Sequence, residues 1–160
     1  MRIKRAALLL AVAGIAAATV TGTTAVASSS TPSTTEHWIV ESTNPVSAIA
    51  TLIARGPLTV GGTINLLTGH VKLPGGTLTL SHHQEHGANG ESARTCLATV
   101  TSSGIYKVTG GTGRYRHVTG HGSYHLVAYA IEKKVNGKCS KGVPYAQTEL
   151  LTATGPLTGD

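Results

Sequence analysis

Apolar residues are distributed along this chain in two regimes. Residues 6–18 form an unbroken apolar stretch. Beyond it, apolar positions come in short runs rich in Val, Ile and Thr, punctuated by glycine, with no sustained 3.6-residue period. Runs of that kind alternate between the two sides of an extended chain and predict strands. Residues 37–42 place Trp38 and Val40 on one face, 58–67 place Val60, Ile64 and Leu66 together, and 77–83 turn Leu78 and Leu80 inward. Residues 48–55 read as a strand, although Ile49, Leu52 and Ile53 also fit a helical spacing. Further strands are expected at 94–101, 105–109, 121–132 and 145–154. Turns are expected at Pro74-Gly75-Gly76 and Ser102-Ser103-Gly104, and a loop at 86–92 around Asn89-Gly90, a strong turn dipeptide. The total is about eight strands and no helix.

An all-β chain of this kind closes into a single antiparallel barrel or stacks into a β-sandwich. The longest expected strand discriminates between them. On residues 121–132, Val127, Tyr129 and Ile131 lie on one face, and Tyr124, Leu126, Ala128 and Ala130 lie on the other. Apolar residues on both faces suit a wall with a filled or ligand-holding lumen inside and a second packing surface outside. A barrel of about eight strands over residues 37–160 is therefore expected, with the sandwich as the alternative.

The first apolar stretch bears on export and charge. Arg2, Lys4 and Arg5 precede it and Ala25-Val26-Ala27 follows, giving residues 1–27 the three parts of a secretory signal peptide. Thr19, Thr21, Thr23 and Thr24 interrupt the run short of the roughly 20 apolar residues that a membrane span needs. Cleavage after Ala27 and a secreted, soluble product are expected. Residues 28–36, Ser/Thr-rich with Pro32, read as a disordered leader. Three of the 13 Lys and Arg residues belong to the signal, leaving a surplus of three over the 7 Asp and Glu. So mild a charge is unlike the basic stripe of a nucleic-acid binder, and no nucleic-acid partner is expected. Cys96 and Cys139 are the only cysteines. Their spacing fits no zinc motif, and a structural disulfide in an oxidising compartment is expected.

Residues 110–124 are the most distinctive segment. Gly110, Gly111 and Gly113 permit backbone angles that other residues avoid. Tyr115 and Val118 are three apart, placed to tuck under a barrel on one short helical turn. Gly120 and Gly122 share a strand face, which allows close backbone approach just before Tyr124. No dinucleotide fingerprint is formed, because Arg116 stands where its third glycine would. The segment resembles the GGTG-aromatic turn that precedes a late strand in the allene oxide cyclase and dirigent-like β-barrels. Taken with Pro74-Gly75-Gly76-Thr77, Arg94-Thr95-Cys96 and Cys139, it resembles more closely a group of small secreted bacterial proteins with these features in the same order. The resemblance implies the barrel and no particular chemistry. No catalytic residue is carried over from it.

Candidate chemistry is sparse. His82-His83-Gln84-Glu85-His86 fits H-x-x-E-H letter for letter, but zinc peptidases need that spacing on a helix, and here it continues a strand. On a strand His82 and His86 share a face, where a further histidine would complete a copper or zinc site. A solvated strand end is the competing reading. His121, Ser123 and His125 also share a face, yet no acid is placed to complete a triad. Lys133, Lys134, Lys138 and Lys141 form a loop that either touches acidic cell-surface polymers or phospholipid, or keeps a β-rich protein soluble. No cofactor is expected. The leading expectation is a secreted, non-enzymatic barrel that binds a small apolar ligand or serves as a cell-surface interaction module. The alternative is an isomerase or cyclase whose lumen shapes a small hydrophobic substrate, a task that needs few ionisable groups.

Overall fold

The structure, a computed structural model, describes residues 34–159, which lie within one compact unit, Thr31–Asp160. The expected signal peptide lies outside the described residues. Eight strands close into a barrel: β1 (Thr35–Ser42), β2 (Ile49–Arg55), β3 (Val60–Asn65), β4 (His70–Leu73), β5 (Gly76–Ser92), β6 (Leu97–Gly111), β7 (Thr119–Ile131) and β10 (Ala146–Thr158). Each strand pairs antiparallel with its predecessor around the barrel, and β10 pairs with β1 to shut the sheet. Between β7 and β10, β8 (Lys134–Val135) and β9 (Lys138–Cys139) form a small separate hairpin. The single antiparallel barrel is the observed architecture, and the sandwich is excluded.

Strict alternation builds the interior. In β1, Glu36, Trp38, Val40 and Ser42 are buried; in β2, Ala50, Leu52 and Ala54 are buried while the residues between them face solvent. One end of the barrel is packed solid by Val71, Leu73, Leu78, Val108 and Leu157, so the unit has a core of its own. Tyr115 and Val118 plug that end from below. A 3-10 turn at Gly113–Tyr115 carries the tyrosine in, and its hydroxyl donates to the Pro74 carbonyl at 2.9 Å. Gly113 has φ +60°, and a Cβ there would meet the Gly75 carbonyl, so the turn admits little but glycine.

The other end is different. β5, β6, β7 and β10 run for 17, 15, 13 and 13 residues, whereas β1 to β4 have between 4 and 8. The longer strands therefore stand beyond the shorter ones as an apron at the open end. Loops 43–48 and 66–69, the turn at 93–96 and the segment 132–145 all lie at this end.

Several local expectations are corrected. β1 begins at Thr35, so Thr35 and Glu36 belong to the wall and not to a disordered leader; Glu36 alternates with Trp38 and is fully buried. β4 was not anticipated, because His70-Val71-Lys72-Leu73 offers only a pair of apolar positions. Residues 86–92 are strand: Asn89 and Gly90 lie opposite Val100 and Thr99 in the long β5–β6 ribbon, whose pairing overrides their turn preference. Ser102-Ser103-Gly104 is mid-strand as well. A Cβ on Gly104 would meet the His83 carbonyl, so this glycine marks a close backbone approach. The count of eight survives because β4 replaces the strand lost when 94–101 and 105–109 fuse into β6.

Candidate functional site

The upper half of the lumen is not filled. A cavity of about 290 Å³ opens there, with Trp38, Val40, Leu52, Ile64, Leu66, Leu80, Leu126, Leu151 and Ala153 as its apolar wall. An eight-stranded barrel is just wide enough for side chains to fill or for one small ligand to enter. Here the closed end is filled and the open end is vacant. Alternation explains which residues reach the cavity: on β10 the inward row is Gln147, Glu149, Leu151, Ala153, Gly155 and Leu157, half-buried or buried while their neighbours are exposed.

Polar groups enter the lumen at a few defined points. Trp38 Nε1 donates to the Tyr106 hydroxyl at 3.2 Å, and the Ser102 and Tyr124 hydroxyls lie 3.3 Å apart. The His82 ring packs edge-on against Tyr124, with centroids 5.9 Å apart. Gln84 and Glu149 complete the polar lining. Burial pushes the Glu149 carboxyl above its ordinary range, and among the described residues nothing hydrogen-bonds or ion-pairs with it. Below the cavity, Glu36 is raised by burial too, against the Leu58 N–H that donates to it at 2.7 Å and the backbone of His37 and Arg55. Burial also raises the Tyr106 hydroxyl; the Trp38 hydrogen bond opposes that shift and the nearby Glu36 charge adds to it.

The expected pairing of His82 with His86 does not form. Gln84 lies opposite Gly104 and His86 opposite Ser103, so Glu85 is an extra residue in β5, a β-bulge. A single extra residue reverses the alternation of everything after it. His82 faces the lumen, while His86 lies outside beside His125, across Ser103. Among the described residues, no three His, Cys, Asp or Glu side chains approach closely enough to hold a metal ion. His121, Ser123 and His125 occupy the outward face of β7, outside the lumen. The H-x-x-E-H letters thus lie on a bulged strand and not on a helix.

The remaining expected residues hold structural places. Gly120 and Gly122 sit on the inward face of β7, against Leu157 and against the Thr154 carbonyl respectively, and Tyr124 follows them into the lumen. Gly110 and Gly111 end β6, and Gly111 faces the Tyr115 carbonyl. Cys96 and Cys139 form the expected disulfide, with Cα atoms 5.3 Å apart, pinning β9 to the turn between β5 and β6. The lysine loop is a hairpin whose turn, Asn136-Gly137, has positive φ at both residues.

Sequence reasoning missed Glu149 and Glu36. Each sits on an inward row, beside Leu151 and Trp38 respectively, so a carboxylate in phase with apolar neighbours was the available signal. Comparison with known protein families, curated proteins and solved structures finds no match to this chain.

Proposed function

We propose that this is an exported protein whose barrel lumen binds one small, largely apolar molecule. The observation that carries the reading is the 290 Å³ apolar cavity beneath the open end, with polar groups confined to a few wall positions. That division is characteristic of ligand sites, where apolar walls supply affinity and a few polar groups set orientation. An apolar cavity of roughly half this volume admits benzene, so the lumen suits a ligand of about a dozen non-hydrogen atoms. Export is supported by the three-part leader at 1–27 and by the Cys96–Cys139 bond, a linkage that persists in oxidising compartments. The likeness of residues 110–124 to the turn of allene oxide cyclase and dirigent-like barrels is consistent with a lumen-centred function and assigns it no residue.

Native mass spectrometry of the barrel with small apolar molecules of graded size tests the proposal. One retained molecule per barrel is expected up to the cavity's size, and Ala153→Phe, which fills the space, should abolish retention. Retention of nothing, or equal retention by the Ala153→Phe variant, would overturn it.

One observation favours a second reading, an isomerase or cyclase. Glu149 places a carboxyl with a raised pKa in an apolar cavity, which is how proteins prepare a general acid for use near neutral pH. On that reading Glu149→Gln abolishes conversion of a bound substrate while affinity stays within about twofold. Conversion that survives the substitution removes it.

A further inference from the structure

The two ends of the barrel differ in what their loops expose. At the packed end, the segments 56–59, 74–75 and 112–118 expose no large apolar side chain. At the open end Val46, Leu67, Val135, Val143 and Tyr145 are all exposed, Leu67 and Tyr145 to 84% and 77%. None of these belongs to the packed core, and each sits in or beside a loop.

Cations are interleaved with them. Arg94, Lys133, Lys134, Lys138 and Lys141 lie in the turn at 93–96 and the segment 132–145, so half of the ten Lys and Arg of the described residues sit in those 18 positions. The acids there are few: Glu132 is half-buried and Glu91 flanks the turn. Val135 stands at the tip of the hairpin between Lys134 and Lys138. The disulfide and the Lys134 Nζ bond to the Arg94 carbonyl at 3.4 Å hold the hairpin against the apron, so these side chains are presented on a tethered element.

We infer that the open end docks on an anionic lipid bilayer, lysines among the head groups and the exposed Val and Tyr side chains in the interface. Exposed apolar residues set among basic ones gain free energy from such a surface in two ways, by burial and by attraction to negative head groups. A soluble polyanion satisfies only the second, which is why the bilayer is the occupant chosen. Docked in this way, the mouth of the cavity faces the membrane. The half-buried row of Leu126, Ala128 and Ala130 on β7 leads from the cavity toward this end and forms an apolar path between bilayer and lumen. That consequence rests on the ligand-binding reading; the docking itself does not.

The test is flotation of the unit 31–160 with vesicles of phosphatidylcholine alone and of phosphatidylcholine with about one third phosphatidylglycerol. Binding is expected to the second and not the first. Lys133→Glu, Lys134→Glu, Lys138→Glu and Lys141→Glu together should weaken it at least about a hundredfold. Val135→Ser, Val143→Ser and Tyr145→Ser together should weaken it about tenfold. Thermal melts checked by circular dichroism confirm that each variant folds, and Lys138→Gln alone gives a milder reading of the same charge dependence. Failure to float with either vesicle, or equal binding to both, overturns the proposal. So does full competition by soluble polyglycerol phosphate together with no effect of the apolar substitutions, which would make an acidic polymer the partner. Retention of a small molecule without vesicles reports on the lumen separately.

Discussion

Gly122 shows how closely single positions are constrained in this wall. A Cβ at that site would run into the Thr154 carbonyl and lie 2.8 Å from the Tyr106 ring. Gly122→Val should therefore destabilise the barrel by about 3 kcal/mol, at the upper end for overpacked interiors, as read by urea unfolding. Wild-type stability in that variant would show that the strands do not approach as described. Glu36 and Glu149 make a different prediction. Both bind protons more tightly in the folded chain than their ordinary value of 4.5 implies, because burial disfavours the charged form. Between 4.5 and the raised values, the folded state holds more protons than the unfolded one, so unfolding free energy falls as pH rises. Stabilisation from these protons is complete below 4.5 and lost above the raised values. Glu36→Gln should flatten that decline while keeping an oxygen for the Leu58 N–H, at a cost of about 1 kcal/mol or less at low pH. A slope unchanged from wild type would contradict the burial of Glu36.

At the scale of elements, the disulfide and the bulge do most to shape the open end. The Cys96–Cys139 bond closes a loop of 43 positions, and removing such a constraint costs about 4 kcal/mol by the loop entropy returned to the unfolded chain. Cys96→Ser with Cys139→Ser should lower stability by that order and release the 132–141 hairpin to fast hydrogen exchange, while β1 to β4 stay protected. Equal loss of protection across all strands would mean that the hairpin is not a separate element. The bulge at Glu85 marks how far the sequence could be read. Period-two alternation placed Trp38 with Val40 and Leu78 with Leu80 on inward rows, but it left both faces of 121–132 open and did not separate strand from helix at 48–55, where the barrel turns Ala50, Leu52 and Ala54 inward. It failed after Gln84, because one inserted residue inverts every later face without altering the composition of the segment. The short β4 carries too few residues to show a period. Glu149 was passed over because the inward row of β10 mixes Gln147 and Glu149 with Leu151 and Ala153, and only closure of the barrel decides which row faces the lumen. Within 110–124 the glycines at 111, 113, 120 and 122 were legible as positions of tight approach, with positive φ at Gly113 alone among the first three, whereas Gly110 has open space around it and no need of a glycine.

The whole molecule is a barrel divided along its axis. Tyr115, Val118, Leu78 and Leu157 seal one end, while a vacant apolar chamber and an apron of long strands occupy the other. Trp38 sits at the boundary. It is the only tryptophan of the chain, 3% exposed, and part of the chamber wall, so its fluorescence is a single reporter at the chamber. The most direct measurement is quenching of Trp38 emission by iodobenzene, a small apolar heavy-atom quencher, set against aqueous iodide. A lumen that takes one small apolar molecule gives saturable quenching by iodobenzene with one site per barrel, little quenching by iodide, and loss of the saturable phase in Ala153→Phe. Quenching that rises linearly without saturation, and to the same degree with iodide, would contradict a ligand-binding lumen.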